Sequence, residues 1–133
     1  MPQKLKNKKL PHYGVFTRLG KSKKHGVGVF AIKDIKKGVY IFYGDDEDMV
    51  WVSKEAVDKL KDENIKKLYS DFGPIKKNKY GCPKNFNQLT VSWYLNESKK
   101  PNVGCDKNYN FYALKDIKKS KELTTDYSTY DER

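Results

Sequence analysis

The chain contains the segment Phe30-Ala-Ile-Lys-Asp-Ile-Lys-Lys-Gly38, and 82 positions later a near copy, Tyr112-Ala-Leu-Lys-Asp-Ile-Lys-Lys-Ser120. Six of the nine positions are identical, and the polar turn in each copy leads into a β-favouring run. Two copies are too few for a solenoid, which needs at least three adjacent repeats. The repeat therefore predicts one β-rich domain that uses the same strand-turn-strand unit twice.

The sequence around the two copies predicts short strands with a helical insert between them. Strands are expected over residues 15–17, 26–32, 39–43, 109–114 and 122–127, with β-like pieces including 91–95 and a lysine-rich loop over 19–25. Ser53 and Asp62 are expected to cap two short helices in an insert at about residues 51–72. The predicted fold class is mainly β with a short helical insert, in a single domain over residues 12–133 that follows a basic, flexible tail over residues 1–11.

Length and composition limit the classes of protein to which this chain can belong. A chain of 133 residues fits one domain, and an aromatic content of 14% argues against a disordered chain. No apolar run approaches the 18 residues of a membrane span, and the N-terminal residues have no apolar core of a secretory signal. We therefore expect an intracellular protein that does not enter membranes, cytoplasmic in a prokaryote or nuclear in a eukaryote.

The charge is strongly basic and comes almost entirely from lysine. The formal net charge is +11, with 26 lysines and only two arginines, Arg18 and Arg133. A solvated basic surface explains this pattern, and so does a surface that binds nucleic acid or an acidic partner. Proteins that read base sequence favour the planar fork of arginine, which is scarce here.

Metal sites and nucleophilic catalysis find little support in the sequence. Two cysteines, Cys82 and Cys105, and two histidines, His12 and His25, form no zinc-binding pattern and no disulfide framework. The chain has no phosphate-binding glycine loop, no nucleophile elbow and no zinc-protease motif. No metal is expected.

Three separated segments carry a recognisable pattern: His25-Gly-Val-Gly-Val-Phe-Ala31, Asn96-Glu-Ser-Lys-Lys-Pro-Asn102 and Glu122-Leu-Thr-Thr-Asp-Tyr127. In this order and spacing they resemble the SET-domain protein-lysine methyltransferases, whose motifs are G-x-G-x-F/V-A, N-H-S-x-x-P-N and E-L-T-x-D-Y. The resemblance implies a β-clip fold of small curved sheets, with the C-terminal segment threaded under the loop over residues 96–102 as a pseudoknot. It also implies a small stand-alone SET protein without pre-SET or post-SET zinc modules.

The resemblance further implies S-adenosylmethionine as cofactor and a protein lysine as substrate, entering through an aromatic channel on the opposite face. It assigns the catalytic role to Tyr127, whose hydroxyl would orient the lysine amine. The cofactor would be bound by seven residues: His25, Gly26, Val27, Gly28, Asn96, Glu97 and Tyr127. The lysine channel would include Tyr80 and Tyr130.

Glu97 departs from the family pattern, because the motif has histidine at this position. A carboxylate facing the channel would stabilise the protonated lysine, which opposes methyl transfer, so we expect Glu97 to turn toward solvent or toward Lys99 or Lys100. Three functions therefore stay open: a lysine methyltransferase, a weakened SET-fold binding module, and a basic nucleic-acid-binding domain. The expected partner is a lysine-bearing protein, histone or other, with nucleic acid and a second copy of the chain as further candidates.

Overall fold

The computed structural model describes residues 10–45 and 49–132, which form a mainly β structure with two helices among them. The nine strands are β1 (Thr17–Lys21), β2 (Val27–Ala31), β3 (Val50–Ser53), β4 (Ile75–Lys76), β5 (Lys79–Cys82), β6 (Asn96–Glu97), β7 (Val103–Cys105), β8 (Phe111–Ala113) and β9 (Glu122–Thr125). The helices are α1 (Lys54–Asp58) and α2 (Glu63–Phe72). The predicted fold class is confirmed. Most of the predicted N-terminal tail, residues 1–9, lies outside the described residues.

The larger sheet is organised around β9. Its strands run in the order β1-β2-β9-β7-β8, and β6 pairs with β9 as well. β9 is antiparallel to β2 and parallel to both β6 and β7, so the strands at the two ends of the loop over residues 96–102 flank the same strand. Ser98 and Asn102, within that loop, donate backbone N–H groups to the carbonyls of Thr125 and Thr124. This arrangement brings the C-terminal segment against the loop, as the resemblance implies.

The main core is aliphatic and draws on both copies of the repeat. Ala31 and Ile35 from the first copy and Ala113 and Ile117 from the second are all at most 3% exposed. They pack with a further set of buried residues: Val29, Ile41, Leu95, Val103 and Leu123. The repeat that predicted a β-rich domain therefore buries the same two positions of each copy in one core.

The insert forms a second unit with its own small core. Ser53 accepts from the backbone N–H of Ala56, and Asp62 accepts from those of Asn64 and Ile65, so both predicted N-caps are confirmed. A three-stranded sheet, in the order β3-β5-β4, flanks the helices. Four buried residues form the core of this unit: Val57, Ile75, Tyr80 and Cys82. No helix among the described residues is long and apolar enough to cross a membrane.

Three local predictions are wrong. Residues 39–43 form isolated bridges rather than a strand, since Tyr40 pairs only with Tyr112 and Phe42 only with Val15. Residues 19–21, expected in a loop, continue β1 because they pair with β2. Residues 91–94 form a 3-10 turn where a β-like piece was expected. In the first two cases the pairing partner, rather than local propensity, decides the conformation.

Candidate functional site

Asn96 joins the glycine-containing segment to the C-terminal strand. Its side-chain Nδ2 donates to the carbonyl oxygens of His25 at 3.1 Å and Val27 at 3.2 Å, and to Oε2 of Glu122 at 2.9 Å. Asn96 is only 9% exposed, in β6 beside β9. The structure thus brings together residues from all three predicted motifs. The Asn96 donor, expected to serve the cofactor, instead holds the segment over residues 22–28. We name this segment the glycine loop, and Asn96 binds it through the carbonyls of His25 and Val27.

Glu122 also holds the glycine loop, through its bonds to Ser22 and Asn96. Both of its carboxylate oxygens accept the Oγ–H of Ser22 at 2.9 Å, in addition to the bond from Asn96. Ser22 in turn accepts the backbone N–H groups of Lys24 at 2.9 Å and His25 at 3.2 Å. One carboxylate therefore fixes the loop through two independent side chains. Charge-assisted bonds of this kind are stronger than neutral ones.

The two glycines of the loop are required for different reasons. Gly26 has φ +45°, a left-handed conformation that glycine adopts most easily, and a Cβ there would meet no atom of the described residues within 4 Å. A Cβ on Gly28 would lie 2.4 Å from Oε2 of Glu122 and 3.0 Å from Cβ of Ser22. The contact of the Gly28 backbone with the cofactor stays a prediction. Gly28 makes room for Glu122.

β6 presents its two residues to opposite sides. Successive side chains of a strand point to opposite faces, and Asn96 faces the glycine loop while Glu97 lines a cavity. The Glu97 carboxylate lies 3.7 Å from Nζ of Lys99, which lies 3.4 Å from the carboxylate of Asp126. Glu97 thus turns toward Lys99, as expected from the sequence, while its side chain stays at the cavity wall.

The cavity lies between the insert and the main sheet and has a volume of about 1150 Å³. Its wall is rich in aromatic side chains, namely Trp51, Phe72, Trp93, Tyr109, Phe111, Tyr127 and Tyr130. Several of these rings contact each other: the centroids of Tyr130 and Phe111 lie 5.7 Å apart, and those of Trp51 and Tyr109 lie 5.6 Å apart. Aromatic faces suit an apolar stem with a cationic or polar tip.

Tyr127 lies where the cavity meets β6. Its hydroxyl donates to the carbonyl oxygen of Leu95 at 2.5 Å, one residue before Asn96. The residue begins a 3-10 turn whose N-cap is Asp126, and the Asp126 carboxylate accepts from the backbone N–H of Ser128. These bonds fix the ring and hydroxyl of Tyr127 between the Asn96 network and the aromatic cavity.

The two predicted channel tyrosines fall in different places. Tyr130 lines the cavity, 6.2 Å from the ring of Tyr127, and burial raises the pKa of Tyr130 well above its usual range. Tyr80 is 6% exposed in the core of the insert, with its ring 5.9 Å from that of Tyr69, and is not among the residues that line the cavity. The prediction for Tyr80 is therefore corrected, because the buried face of β5 points into the insert.

The sequence analysis missed some residues that build this site. Glu122 lay within a quoted motif but received no role, although its carboxylate fixes Ser22 and Asn96. Asp131 and Glu132 accept the backbone N–H groups of Ile75 at 3.1 Å and Lys77 at 2.7 Å, so the segment after Tyr127 is joined to the insert. A carboxylate close to a serine or asparagine in space leaves no signal in sequence spacing, since these contacts span 26 to 100 positions.

Comparison with known proteins places this geometry in context. Two solved structures of Chaetomium thermophilum Polycomb Repressive Complex 2 bound to the inhibitor GSK126, one a humanized mutant, resemble the fold at 20% identity, with TM-scores of 0.63 and, for the mutant, 0.59. The match covers 88% and 90% of this chain but 16% of each of those chains. No curated protein matches the sequence closely enough to count as a relative.

A Plasmodium falciparum protein assigned as a histone methyltransferase is similar over its whole length. The identity is 25%, the TM-score is 0.52, and the match covers 85% of this chain and 93% of that one. The family model of the SET domain matches residues 26–128, a range that includes Gly26, Gly28, Asn96, Glu122 and Tyr127. The chain belongs to the SET-domain family.

Proposed function

We propose that this protein transfers a methyl group from S-adenosylmethionine to the side-chain amine of a lysine in another protein. The observation that carries the proposal is the hydrogen bond from Tyr127 to the carbonyl of Leu95, placed between the Asn96 network and the aromatic cavity. The glycine loop and the aromatic cavity lie on opposite sides of β6, with the Tyr127 hydroxyl between them. This arrangement suits a reaction in which a methyl donor and a lysine approach each other from opposite sides.

The residues beside the glycine loop fit the proposed cofactor. His25, Gly26 and Val27 are exposed, and the space beside Gly26 is open among the described residues. The Oδ1 atom of Asn96 accepts no hydrogen bond from the described residues, so it can accept one from a ligand. The backbone of residues 25–28, Asn96 and Glu97 would hold S-adenosylmethionine, which supplies an electrophilic methyl group when bound.

The cavity would lower the pKa of an incoming lysine. A free lysine amine has a pKa near 10.4, so only about one in a thousand is neutral at pH 7.4. Burial raises the pKa of Tyr109 as well as that of Tyr130, which marks this wall as a poor solvent for charge. The same desolvation disfavours an ammonium ion, and a shift of about three units would make the neutral amine common.

Tyr127 would orient that amine. Because its hydroxyl proton is donated to Leu95, the hydroxyl oxygen would act as an acceptor toward a lysine N–H. An amine held in this way has its lone pair directed away from Tyr127, toward the face of β6 where Asn96 lies. Orientation of reacting groups contributes much of the rate in such bimolecular steps.

The substrate would be a segment of protein rather than a small molecule. The cavity of about 1150 Å³ exceeds the usual range for small-ligand sites, which reaches roughly 1000 Å³. Its rim combines aromatic side chains with the exposed Lys76, Lys77 and Lys107. The similar structures include a protein assigned as a histone methyltransferase and a Polycomb complex, which supports lysine-bearing proteins such as histones as the class to test.

A weakened, cofactor-binding SET module is the second candidate, and Glu97 is the observation that favours it. Its carboxylate lines the cavity with Tyr127 and Tyr130, where it would favour a protonated lysine. The pairing of Glu97 with Lys99 at 3.7 Å offsets part of this charge. We favour the enzyme, because the Tyr127 hydroxyl is fixed at the cavity by its bond to the carbonyl of Leu95.

The deciding experiment combines binding with transfer. Purified protein is titrated with S-adenosylmethionine by calorimetry, and then incubated with it and a panel of lysine-bearing proteins, histones included, for mass spectrometry of methylated lysines. Asn96→Ala should abolish binding, while Asn64→Ala, a change at an exposed asparagine outside the cavity, should leave it unchanged. Binding with lysine methylation supports the enzyme, binding without methylation supports the module, and no binding to folded protein overturns both.

A further inference from the structure

The two copies of the sequence repeat meet in space and are related by an approximate two-fold axis. Ile35 donates its backbone N–H to Ile117 at 2.8 Å, and Ile117 donates back to Ile35 at 2.7 Å. Two further reciprocal bonds, each 2.8 Å, join Gly38 to Ala113 and Ser120 to Ala31. Gly38 and Ser120 occupy the same repeat position, and both have a left-handed backbone, with φ 88° and 76°. The two turns are therefore equivalent in conformation and in pairing.

The aspartate of each turn is used to build this arrangement. Asp116 accepts the backbone N–H of Lys37 at 2.9 Å, and Asp34 accepts that of Lys119 at 2.8 Å. Each carboxylate thus serves the main chain of the opposite copy. The side chains of Lys37 and Lys119 take no part in these bonds, so the basic groups remain directed to solvent.

The paired turns gather exposed lysines on one surface, which we name the twin-turn patch. Its members are Lys33, Lys36, Lys37, Lys115, Lys118, Lys119 and Lys121, and all seven are exposed. With Asp34 and Asp116 as its only acids, the patch carries five net positive charges. Among the described residues none of the seven lysines lies within ion-pair distance of a carboxylate.

Three lysines on the helices of the insert differ in this respect. Lys54, Lys59 and Lys66 each pair with an acid on the same helix, Asp58, Glu55 and Glu63. The patch instead combines seven exposed lysines on two adjoining turns with two aspartates whose carboxylates bind the main chain.

We propose that the twin-turn patch binds the phosphate backbone of nucleic acid without regard to base sequence. Duplex DNA carries about one negative charge per 1.7 Å of axis and a layer of condensed counterions. A compact group of cations that neutralises several phosphates releases these counterions, which favours binding. Lysine is a point charge that contacts phosphate, whereas base reading favours arginine, which the patch lacks. An acidic protein surface is the competing partner, and the test below separates the two.

The patch is independent of the proposed methyl-transfer site. None of its seven lysines lines the aromatic cavity, and none contacts Asn96, Glu122 or Tyr127 by hydrogen bond. A protein bound to nucleic acid through the patch therefore keeps its cavity open to a protein substrate. It also follows that failure of one proposal leaves the other untouched.

The test uses two variants of equal charge. The patch variant replaces Lys36, Lys37, Lys118 and Lys119 with glutamine, and the control replaces Lys59, Lys61, Lys66 and Lys67 in the insert. Both lower the net charge from +11 to +7. Binding of a fluorescein-labelled 20-base-pair duplex of random sequence is followed by anisotropy at several KCl concentrations, and circular dichroism verifies that each variant is folded.

For the patch variant we expect the dissociation constant to rise at least about tenfold at 100 mM KCl, and the log–log salt slope to fall by about two to three. The control should stay within about twofold of the wild type. Equal losses of affinity for the duplex in both variants would show that only net charge matters, and would overturn the proposal. Absence of salt-dependent binding by the wild type would also overturn it, as would competition by polyglutamate that equals competition by unlabelled duplex.

Discussion

The side-chain amide of Asn96 donates to the carboxylate of Glu122 at 2.9 Å, across 26 positions of sequence. This bond joins the first residue of β6 to the first residue of β9, and the same two side chains hold the glycine loop through His25, Val27 and Ser22. The proposed cofactor site is therefore preorganised by the carboxylate of Glu122.

Replacing Glu122 with glutamine should destabilise the protein and weaken the cofactor site together. The substitution removes the negative charge and replaces one acceptor oxygen with an NH₂ donor, and hydrogen bonds to a charged group contribute about 1.5–3 kcal/mol. We expect the free energy of unfolding in urea to fall by about 2 kcal/mol, and affinity for S-adenosylmethionine to fall about tenfold. Glu55→Gln, which breaks only an exposed helix pair, should cost under about 0.5 kcal/mol. Equal losses in the two variants would contradict the role of Glu122.

Alanine at Gly28 should cost more while Glu122 is present than when it is truncated. The new Cβ would displace an oxygen that Ser22 and Asn96 hold in place, and overpacking of this kind costs about 1–3 kcal/mol. In a Glu122→Ala background the cost should fall, and the part that remains comes from the 3.0 Å approach to Cβ of Ser22. Gly26→Ala should cost about 1 kcal/mol in both backgrounds, because its strain is in the backbone. Urea unfolding of the four double-mutant-cycle members tests this, and a Gly28→Ala cost that ignores Glu122 would refute the packing argument.

Asp126 should contribute stability that depends on pH. The hydroxyl and backbone N–H of Ser128, followed by the nearby Lys99, lower the pKa of Asp126 below its usual value of 3.8. A carboxyl whose pKa is lower in the folded state contributes stability that is present above about pH 4 and is lost as pH falls through the folded-state value. Asp126→Asn should therefore be less stable than the wild type at pH 7, with the difference closing as pH falls through the folded-state pKa. A constant difference from pH 7 to pH 2 would rule out this linkage.

Glu97 should restrain the reaction at neutral pH. Its carboxylate favours the protonated lysine, so Glu97→Gln should lower the pKa of the bound amine by about half a unit, which raises kcat about 1.4-fold at pH 7.5 and nearly threefold at about pH 6. The gain should shrink near pH 9.5, where more of the amine is already neutral. Glu55→Gln, at a site away from the cavity, should leave the profile unchanged. A loss of activity in Glu97→Gln at every pH would show instead that the carboxylate assists catalysis.

Local signals allowed part of the fold to be predicted from sequence. Ser53 and Asp62 cap their helices through residues two or three positions away, so the signal and the structure lie together. The repeat predicted a unit used twice, and both copies bury their alanine and the isoleucine that follows their aspartate. By contrast, the strand predicted over 39–43 failed because its β-branched and aromatic residues form only single bridges to distant partners.

The motif residues of the site could be predicted from the sequence, but the side chains that hold them in place could not. His25, Gly28 and Asn96 could be selected by pattern, and the structure brings them together. Glu122 could not be given a role, because its partners are defined only once β6, β9 and the loop before β2 are assembled. Tyr80 was misplaced for a similar reason, since its burial depends on which side of β5 faces the insert.

The most direct test of the central claim is a single-turnover methyl-transfer assay of Tyr127→Phe, with Tyr43→Phe, an exposed tyrosine outside the aromatic cavity, as the control. Loss of one orienting hydroxyl should reduce the rate about 100-fold, while affinity for S-adenosylmethionine stays within about twofold. Tyr43→Phe should match the wild type in both measurements. A Tyr127→Phe protein that is folded, binds cofactor and transfers methyl groups at the wild-type rate would contradict the account.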